Sequence, residues 1–300
     1  MRRFFGVLIS AVIAASSHAD VATGATTDPS TKPLVITLKL PDFGDLKRKT
    51  FEHQLIELAL QKTQGKTGGF EMASVNVISR THAVAALSQN LYQNFITTLS
   101  YEDTLLDGGN LIYIPFPVER GALSYRICYA NKNLDGTIQT IDDLKKLKQY
   151  KLGIGAGWLD AKILQHSGLQ TVEGNNITSL FRMTQAGRAD IFCPSPSEYF
   201  HELAAEKISN LQLDNKLALY YPLPKFLFSH KSNQALLDRI KHGIDIAYQD
   251  GSYLELWNRA YARDLLRAKL SERNLIKLEN PFITNLPNDY EHYLFDPLTL

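Results

Sequence analysis

The sequence predicts an α/β protein built from two lobes, and three observations carry that prediction. Short apolar runs alternate with helical patterns along the chain, as they do in lobes built on parallel sheets. A chain of 300 residues exceeds the usual size of a single hydrophobic core. Two extended, proline-interrupted segments separate the second alternating unit from the rest of the chain. Two lobes joined by two extended crossings form a hinge with a cleft between them.

The first residues have the pattern of a secretory signal peptide over 1–19. Arg2 and Arg3 precede an apolar run, and Ser17-His18-Ala19 offers a small-x-small cleavage site without a lipoprotein cysteine. We therefore expect an exported chain in the periplasm, although the signal alone also fits eukaryotic secretion. Residues 20–33 are rich in Ala, Thr, Asp and Ser and predict a flexible leader.

The first lobe begins with an apolar strand over 34–40. Apolar residues from Phe51 onward follow at helical spacing, and residues 70–77 alternate as a strand does. A second helix is predicted over 82–93. We expect the first lobe to comprise residues 34–122 together with 223–300, and the second lobe to comprise 123–222.

The second lobe repeats the alternation after an extended segment with three turn-forming residues, Pro115, Pro117 and Gly121. Asn176 reads as the N-cap of one of its helices, and not as a glycosylation acceptor. The predicted elements are a helix over 141–147, a strand over 152–156, helices over 158–165 and 177–185, a strand over 189–193 and a helix over 197–207.

The C-terminal part is predicted to be helical and to pack back on the first lobe. A second extended segment, 217–231, is followed by an amphipathic helix with apolar residues from Leu236 to Ala247 on one face. A further helix fits 253–270, and the tail from Asn280 is rich in Pro and Asn and predicts irregular structure.

Charge and motif spacing exclude several classes of partner. The formal charge is +1, and −1 once Arg2 and Arg3 are removed, so no basic field is present to attract nucleic acid or a membrane surface. The stretch KLGIGAGWLDAKIL carries Asp160 where a dinucleotide fingerprint needs its third glycine. GKTGG, residues 65–69, lacks the first glycine of a phosphate loop. We expect no cofactor, and the scattered histidines predict no metal site.

The two cysteines, Cys128 and Cys193, lie in apolar runs that predict strands. An oxidising compartment permits one disulfide between them. A bridge forms only where the two strands bring the Cα atoms within reach, so the sequence leaves open a disulfide or two buried thiols.

Several runs resemble the type II periplasmic solute-binding proteins, in particular the extracellular solute-binding family 3. The resemblance is carried by AGRADI, by DGSY, by their flanking segments from GWLDAKIL to YLELW, and by the closing KLSERNLIKLENPF of a divergent branch. It covers most of the chain after the signal peptide. It implies two α/β lobes, each with a mainly parallel sheet flanked by helices, joined by two extended hinge crossings around a small-molecule cleft.

This sequence departs from the amino-acid-binding members of that family at both charge-binding positions. Where those members have an Arg for the ligand carboxylate, this chain has Ser100, Glu102 and Asp103, and where they have an Asp for the ammonium group it has Pro194 and Ser195. The resemblance therefore leaves the ligand open among amino-acid-like solutes, amines and organic acids.

Candidate ligand-binding residues follow strand ends or begin helices, where open α/β sheets bind ligands. Each also has a structural interpretation: a turn, a core aromatic, a salt-bridged arginine, or a carboxylate near a helix N-terminus. Asp160 fits that last interpretation better than ligand contact. The candidates are Asp42, Phe43, Arg80, Ser100, Glu102, Arg120, Gly155, Gly157, Trp158, Ser195 and Glu198.

The function predicted from these observations is a periplasmic solute-binding protein, acting as a monomeric receptor of an inner-membrane ABC permease. A sensory or partner-binding protein without transport is the main alternative. An enzyme on the same fold, such as a lyase or dehydratase, is less favoured, because no G-x-S-x-G or H-E-x-x-H pattern is present.

Overall fold

The computed structural model describes residues 33–40, 49–77, 79–134, 136–205 and 211–297. The predicted signal peptide, the leader up to residue 32, and the candidates Asp42 and Phe43 lie outside the described residues.

The described strands and helices follow the alternation that the sequence predicts. The strands are β1 (Leu34–Lys39), β2 (Phe70–Val75), β3 (Phe95–Ser100), β4 (Leu111–Tyr113), β5 (Tyr125–Asn131), β6 (Lys151–Gly155), β7 (Gln170–Gly174), β8 (Ile191–Phe192), β9 (Leu211–Tyr220), β10 (Lys225–His230) and β11 (Asn274–Lys277). The helices are α1 (Phe51–Thr67), α2 (Arg80–Ser88), α3 (Leu144–Leu147), α4 (Leu159–His166), α5 (Ile177–Gln185), α6 (Pro196–Ala205), α7 (Gln234–Gln249), α8 (Ser252–Trp257) and α9 (Arg263–Ala268).

Five of these strands form the first sheet, in the order β2-β1-β3-β10-β4. β1 is parallel to β2 and β3, whereas β10 is antiparallel to β3 and β4. Helices α1 and α7 pack closely together, because Gly243 lets α7 approach the backbone of α1 at Ala59, where a Cβ atom would collide. We call this sheet with its helices the first lobe.

The other six strands form the second sheet, in the order β11-β9-β5-β8-β6-β7. β6 is parallel to β7 and β8, and β5 is antiparallel to β8 and β9. A disulfide joins Cys128 of β5 to Cys193 at the end of β8, which decides between the two alternatives that the sequence left open. We call this sheet with its helices the second lobe.

The pairing of β11 differs from the predicted division of the chain. Residues 223–300 were expected in the first lobe, but Asn274–Lys277 lies parallel to β9 at the edge of the second sheet. The segment that follows returns to the first lobe, where the Asp103 carboxylate accepts bonds from the backbone N–H groups of Thr284 and Asn285 at 2.9 and 3.1 Å.

Two helices end near residues with a left-handed backbone conformation, which the helical spacing of the apolar residues did not indicate. The helix predicted over 82–93 ends at Ser88, since Asn90 is left-handed with φ 50°. The helix predicted over 253–270 is interrupted by a π-helical turn at Asn258–Ala262, and it ends before Lys269, which has φ 49°. The helix predicted over 141–147 begins only after Asp143, whose side chain caps it.

Among the described residues, no helix is long and apolar enough to cross a membrane.

Candidate functional site

A cavity of about 680 Å³ lies between the two lobes, and we call it the interlobe cavity. Both lobes line it with polar, charged and aromatic side chains. The charged lining residues are Lys39, Glu52, Arg80, Glu119, Arg126, Asp160, Glu198 and Lys225. The aromatic lining residues are Phe51, Trp158 and Tyr261, and the amides are Asn76, Asn175 and Asn176.

The walls are built from strand ends and from the helix starts that follow them. Thr97 to Ser100 come from the end of β3, and Thr50 to Glu52 come from the start of α1. In the second lobe, Ala156 follows β6, and residues 175–177 connect β7 to α5. The carboxyl ends of the parallel strands in each lobe therefore face the cavity, as expected for an open α/β sheet.

Gly155 gives space to an aromatic side chain and not to a phosphate. A Cβ atom on Gly155 would collide with the indole of Trp158, so only glycine lets the ring lie over the end of β6. Gly157 has φ 72°, a conformation that favours glycine, and it turns the chain into α4. Trp158 packs against two clusters of buried hydrophobic residues while its side chain also lines the cavity.

Arg126 of β5 is the centre of a buried ion cluster in the second lobe. Its guanidinium donates to Asp160 Oδ1 at 2.5 Å and to Glu198 Oε2 at 3.3 Å, and it lies 5.4 Å from the centre of the Tyr221 ring. The Tyr221 hydroxyl donates to Asp160 at 2.7 Å. Burial lowers the pKa of Arg126, but the carboxylates outweigh it and the pKa is raised. The guanidinium therefore keeps its charge in the wall of the cavity.

Glu198 caps α6 as well as pairing with Arg126. Its carboxylate accepts bonds from the backbone N–H and the hydroxyl of Ser195 at 2.9 and 2.8 Å. Ser195 Oγ in turn accepts the backbone N–H of Glu198 at 3.3 Å, which completes the reciprocal pattern of a capping box. Ser195 is fully buried, so its role in this structure is to orient Glu198.

Glu102 connects the two lobes. In the first lobe it pairs with Arg80 at 2.7 Å, and across the cleft it pairs with Lys162 of α4, also at 2.7 Å. The Glu102 side chain is 5% exposed and that of Lys162 is 52% exposed. Burial raises the pKa of Glu102, but the bonds from Lys162 and Arg80 outweigh it and the pKa is lowered. The charged form of Glu102 therefore favours the approach of the lobes.

Glu119 and Lys225 face each other more loosely in the first lobe. Lys225 Nζ lies 3.8 Å from Glu119 Oε1, whereas Glu119 Oε2 is buried and has no hydrogen-bond partner among the described residues. Burial raises the pKa of Glu119, and the nearby carboxylates of Glu198 and Glu52 raise it further against the effect of Lys225. The cavity therefore contains carboxylates that repel one another.

The structure separates the predicted ligand-binding residues into two groups. Arg80, Ser100, Trp158 and Glu198 line the interlobe cavity. The remaining described candidates, Glu102, Arg120, Gly155, Gly157 and Ser195, support that wall or lie away from it.

Arg120 belongs to the hinge. Its guanidinium lies 4.9 Å from the centre of the Trp257 ring and donates to the backbone carbonyl of Tyr293 at 3.0 Å. These contacts fix the first crossing to the C-terminal segment, and Arg120 does not line the interlobe cavity. The guanidinium near Ser100 is that of Arg80, which donates to the Ser100 backbone carbonyl at 3.3 Å.

Several residues that line the cavity were not identified from the sequence as ligand-binding candidates. Arg126 could have been found, because a charged residue inside the apolar run YRICYA must be paired if the strand is buried. Glu52 and Glu119 gave no comparable signal, since a carboxylate in a first helical turn or beside a proline-rich segment is ordinary. Asp160 lies in the first turn of α4, as predicted, and no sequence pattern indicated its bonds to Arg126 and Tyr221.

Within the described segments, no group of three or more His, Cys, Asp or Glu side chains has a geometry suited to a metal ion.

Several solved structures share the architecture of this chain. An ancestral arginine-binding protein bound to arginine superposes with a TM-score of 0.57 at 14% identity, over 76% of this chain and 98% of that chain. An arginine transport-system periplasmic binding protein from Legionella pneumophila superposes with a TM-score of 0.56 at 14% identity, over 77% of this chain and 100% of that chain. A histidine kinase sensor domain similar to periplasmic binding proteins superposes with a TM-score of 0.55 at 13% identity, over 76% of this chain and 96% of that chain.

The chain has the two-lobed fold of the type II periplasmic binding proteins. No protein-family model matches the chain, and no curated protein matches it. At these identities the likeness establishes the fold, and the chemistry of this site has to be argued from its own residues.

Proposed function

We propose that this protein is a periplasmic solute-binding protein that closes its two lobes on a small polar solute. The observation that carries the proposal is the interlobe cavity, which both lobes line with charged, amide and aromatic side chains. Its volume, about 680 Å³, lies within the usual range for small-molecule sites. The pair between Glu102 and Lys162 supports closure as the working motion, since it spans the cleft.

The periplasmic location rests on the predicted signal peptide over 1–19. We propose that the closed protein acts as a monomer and docks on the permease of an ABC importer, in line with the similarity to a transport-system binding protein. A sensory role is the second candidate, favoured by the similarity to a sensor domain of a histidine kinase. Closure would serve both roles, because a permease or a receptor can recognise the closed form.

A thermal-shift screen of residues 20–300 tests solute binding. The panel contains amino acids, amines, organic acids, sugars and short peptides. A solute at 100 times its Kd adds about 2.7 kcal/mol to the free energy of unfolding, which is a shift of a few degrees for a chain of this size. Silence across the panel from a folded, solute-free protein would contradict the proposal.

A stabilising compound then separates the remaining roles. Uptake of that compound should fall in cells that lack the gene if the protein serves an importer, and should be unchanged if it serves a sensor. Mass spectrometry of the compound after incubation with the protein should show no product. Turnover of the compound would replace the binding role by an enzymatic one.

A further inference from the structure

The chain passes between the two lobes more often than the two crossings that the sequence predicts. The predicted crossings, near residues 120 and 222, lie side by side, because the Tyr221 N–H donates to the Ser124 carbonyl at 3.2 Å. After α8, which packs on α1 and α7 of the first lobe, the chain reaches the second lobe at α9, which packs on α6. It returns to the first lobe after β11. The described residues therefore contain four crossings, and the last of them is short.

The last crossing, residues 278–282, begins on the second lobe, and we call it the strap. The Leu278 N–H donates to the carbonyl of the last residue of β9 at 2.8 Å, and the Leu278 side chain is buried among residues of the second lobe. The Asn280 side chain donates to the Pro222 carbonyl at 2.8 Å and accepts the Phe282 N–H at 3.0 Å. The strap therefore runs along the second crossing.

The end of the strap is held by both lobes. The Phe282 carbonyl accepts the Asp103 N–H of the first lobe at 2.8 Å, and the Asp103 carboxylate accepts the N–H groups of Thr284 and Asn285. The Phe282 ring instead lies beside α4 of the second lobe, with its centre 6.3 Å from that of the His166 ring. Phe282 therefore contacts the first lobe through its backbone and the second lobe through its side chain.

The chain beyond the strap is anchored in the first lobe. Tyr290 is buried, and its ring centre lies 6.0 Å from that of Phe226 on β10. The Phe295 N–H donates to the Arg120 carbonyl at 2.9 Å, and the Phe295 ring packs on Trp257 with centres 5.6 Å apart. The strap cannot be drawn out from its C-terminal side without uncovering these aromatic side chains.

The length of the strap restricts how far its two ends can separate. Four Cα–Cα steps join Leu278 to Phe282, and they reach at most about 14 Å when fully extended. The ion pair between Glu102 and Lys162 lies close by, since Lys162 Nζ is 5.9 Å from the centre of the Phe282 ring. A half-exposed ion pair contributes little to holding two lobes together, whereas a segment fixed at both ends sets a limit that salt does not remove.

We propose that the strap limits how far the two lobes can open, so that the protein without a solute stays close to the arrangement of this structure. The proposal concerns the motion itself, and it does not depend on which solute binds. A restricted opening keeps a larger fraction of the protein in the binding-competent form, which reduces the loss of apparent affinity caused by the conformational change.

Lengthening the strap tests this limit. Four Gly and Ser residues inserted after Glu279, an exposed position, add about 13 Å of reach and leave the anchoring residues unchanged. The same insertion between Gly108 and Gly109, in an exposed loop of the first lobe, is the matched control. Circular dichroism and thermal unfolding first establish that both variants fold.

Pulsed electron paramagnetic resonance on the solute-free protein measures the separation of the lobes. Spin labels at the exposed positions Gln61 of α1 and Lys145 of α3 are attached through a ketone-bearing amino acid, which leaves the disulfide intact. The wild type and the control should give one narrow distance distribution. The lengthened strap should shift this distribution to longer distances and broaden it about twofold or more, and the radius of gyration from small-angle scattering should rise with it.

Point variants test the same limit without changing the length of the chain. Asn280→Ala combined with Asp103→Ala removes the side-chain hydrogen bonds at both ends of the strap and should broaden the distribution in the same direction. Asp107→Ala is the matched control, because Asp107 is an exposed carboxylate of the same loop as Asp103. Lys162→Met removes the ion pair across the cleft and should leave the distribution narrow.

The results separate the strap from the ion pair and from solute binding. A lengthened protein with the distribution of the wild type would overturn the proposal, and the double variant decides in the same way if the lengthened protein does not fold. Equal opening in the loop-insertion control, or opening in Lys162→Met as large as in the lengthened protein, would also overturn it. These measurements contain no solute, so a failure of the proposed solute binding would leave their outcome unchanged.

Discussion

Replacing Arg126 with methionine should strongly destabilise the second lobe. Methionine keeps much of the apolar volume of the side chain but leaves Asp160 without its cation. Asp160 is 4% exposed, so its charge would remain buried, and the Tyr221 hydroxyl would be its one side-chain donor among the described residues. Removing one partner of a buried ion pair costs about 3–5 kcal/mol, because the other charge is left uncompensated.

The loss of the contact between Arg126 and Glu198 adds little to this cost in stability. The Glu198 side chain is 25% exposed, and it retains the two bonds from Ser195 when Arg126 is absent. At about 2–4 °C per kcal/mol for a chain of this size, we expect the melting temperature to fall by roughly 6–20 °C.

A double-mutant cycle measured by urea unfolding is the appropriate assay. Asp160→Asn alone should also destabilise, but the double variant Arg126→Met with Asp160→Asn should be less destabilised than the sum of the two single changes, with a coupling of about 1–3 kcal/mol. Arg259→Met serves as the control, because Arg259 is exposed and its loss should change stability by less than about 0.5 kcal/mol.

Two results would refute this reasoning. An Arg126→Met protein as stable as the wild type would show that the cluster carries no net stability. Purely additive effects of the two substitutions would show that the two charges do not depend on each other.

Three further changes have expected outcomes. Gly155→Ala should displace the Trp158 indole, red-shift its fluorescence and cost about 1–3 kcal/mol, and an unshifted spectrum would count against the close approach. Because the pKa of Glu102 is lowered from 4.5, the stabilisation of the folded state by the Glu102 carboxylate should be complete above about pH 4.5 and lost as the pH falls below it. Urea titrations at several pH values measure this contribution, and Glu102→Gln should abolish it. Replacing Cys128 and Cys193 with alanine removes a cross-link across 65 residues and should cost up to about 4 kcal/mol by chain entropy, while a reductant should have no effect on the double variant.

The alternation of strands and helices could be predicted because it depends on local periodicity. Residues 34–40 and 177–185 show their burial pattern directly in the sequence, and the structure has β1 and α5 at these positions. The early end of α2 could not be predicted in the same way. It depends on the left-handed conformation of Asn90, which the helical spacing of the surrounding residues does not record.

The membership of β11 in the second sheet depends on tertiary pairing. Asn274–Lys277 is a four-residue edge strand with one buried residue, Ile276, so its own pattern carries little information about its partner. Its position is fixed by hydrogen bonds to β9, which lies more than fifty residues earlier in the chain.

The candidate site was predicted only in part, because its contacts join distant parts of the chain. Trp158 and Glu198 follow recognisable strand ends, and both line the interlobe cavity. The pairs of Arg126 with Asp160 and of Glu102 with Lys162 connect residues 34 and 60 positions apart. No local pattern reports such pairs, and only the packing of strands and lobes brings them together.

Hydrogen exchange with and without a stabilising compound tests the central claim most directly, because it reports both walls of the cavity in one experiment. Closure on a solute should slow amide exchange in residues 50–54 of the first lobe and in residues 156–160 of the second lobe at the same time. Slower exchange in only one of these segments, or only at a site outside the interlobe cavity, would contradict the account.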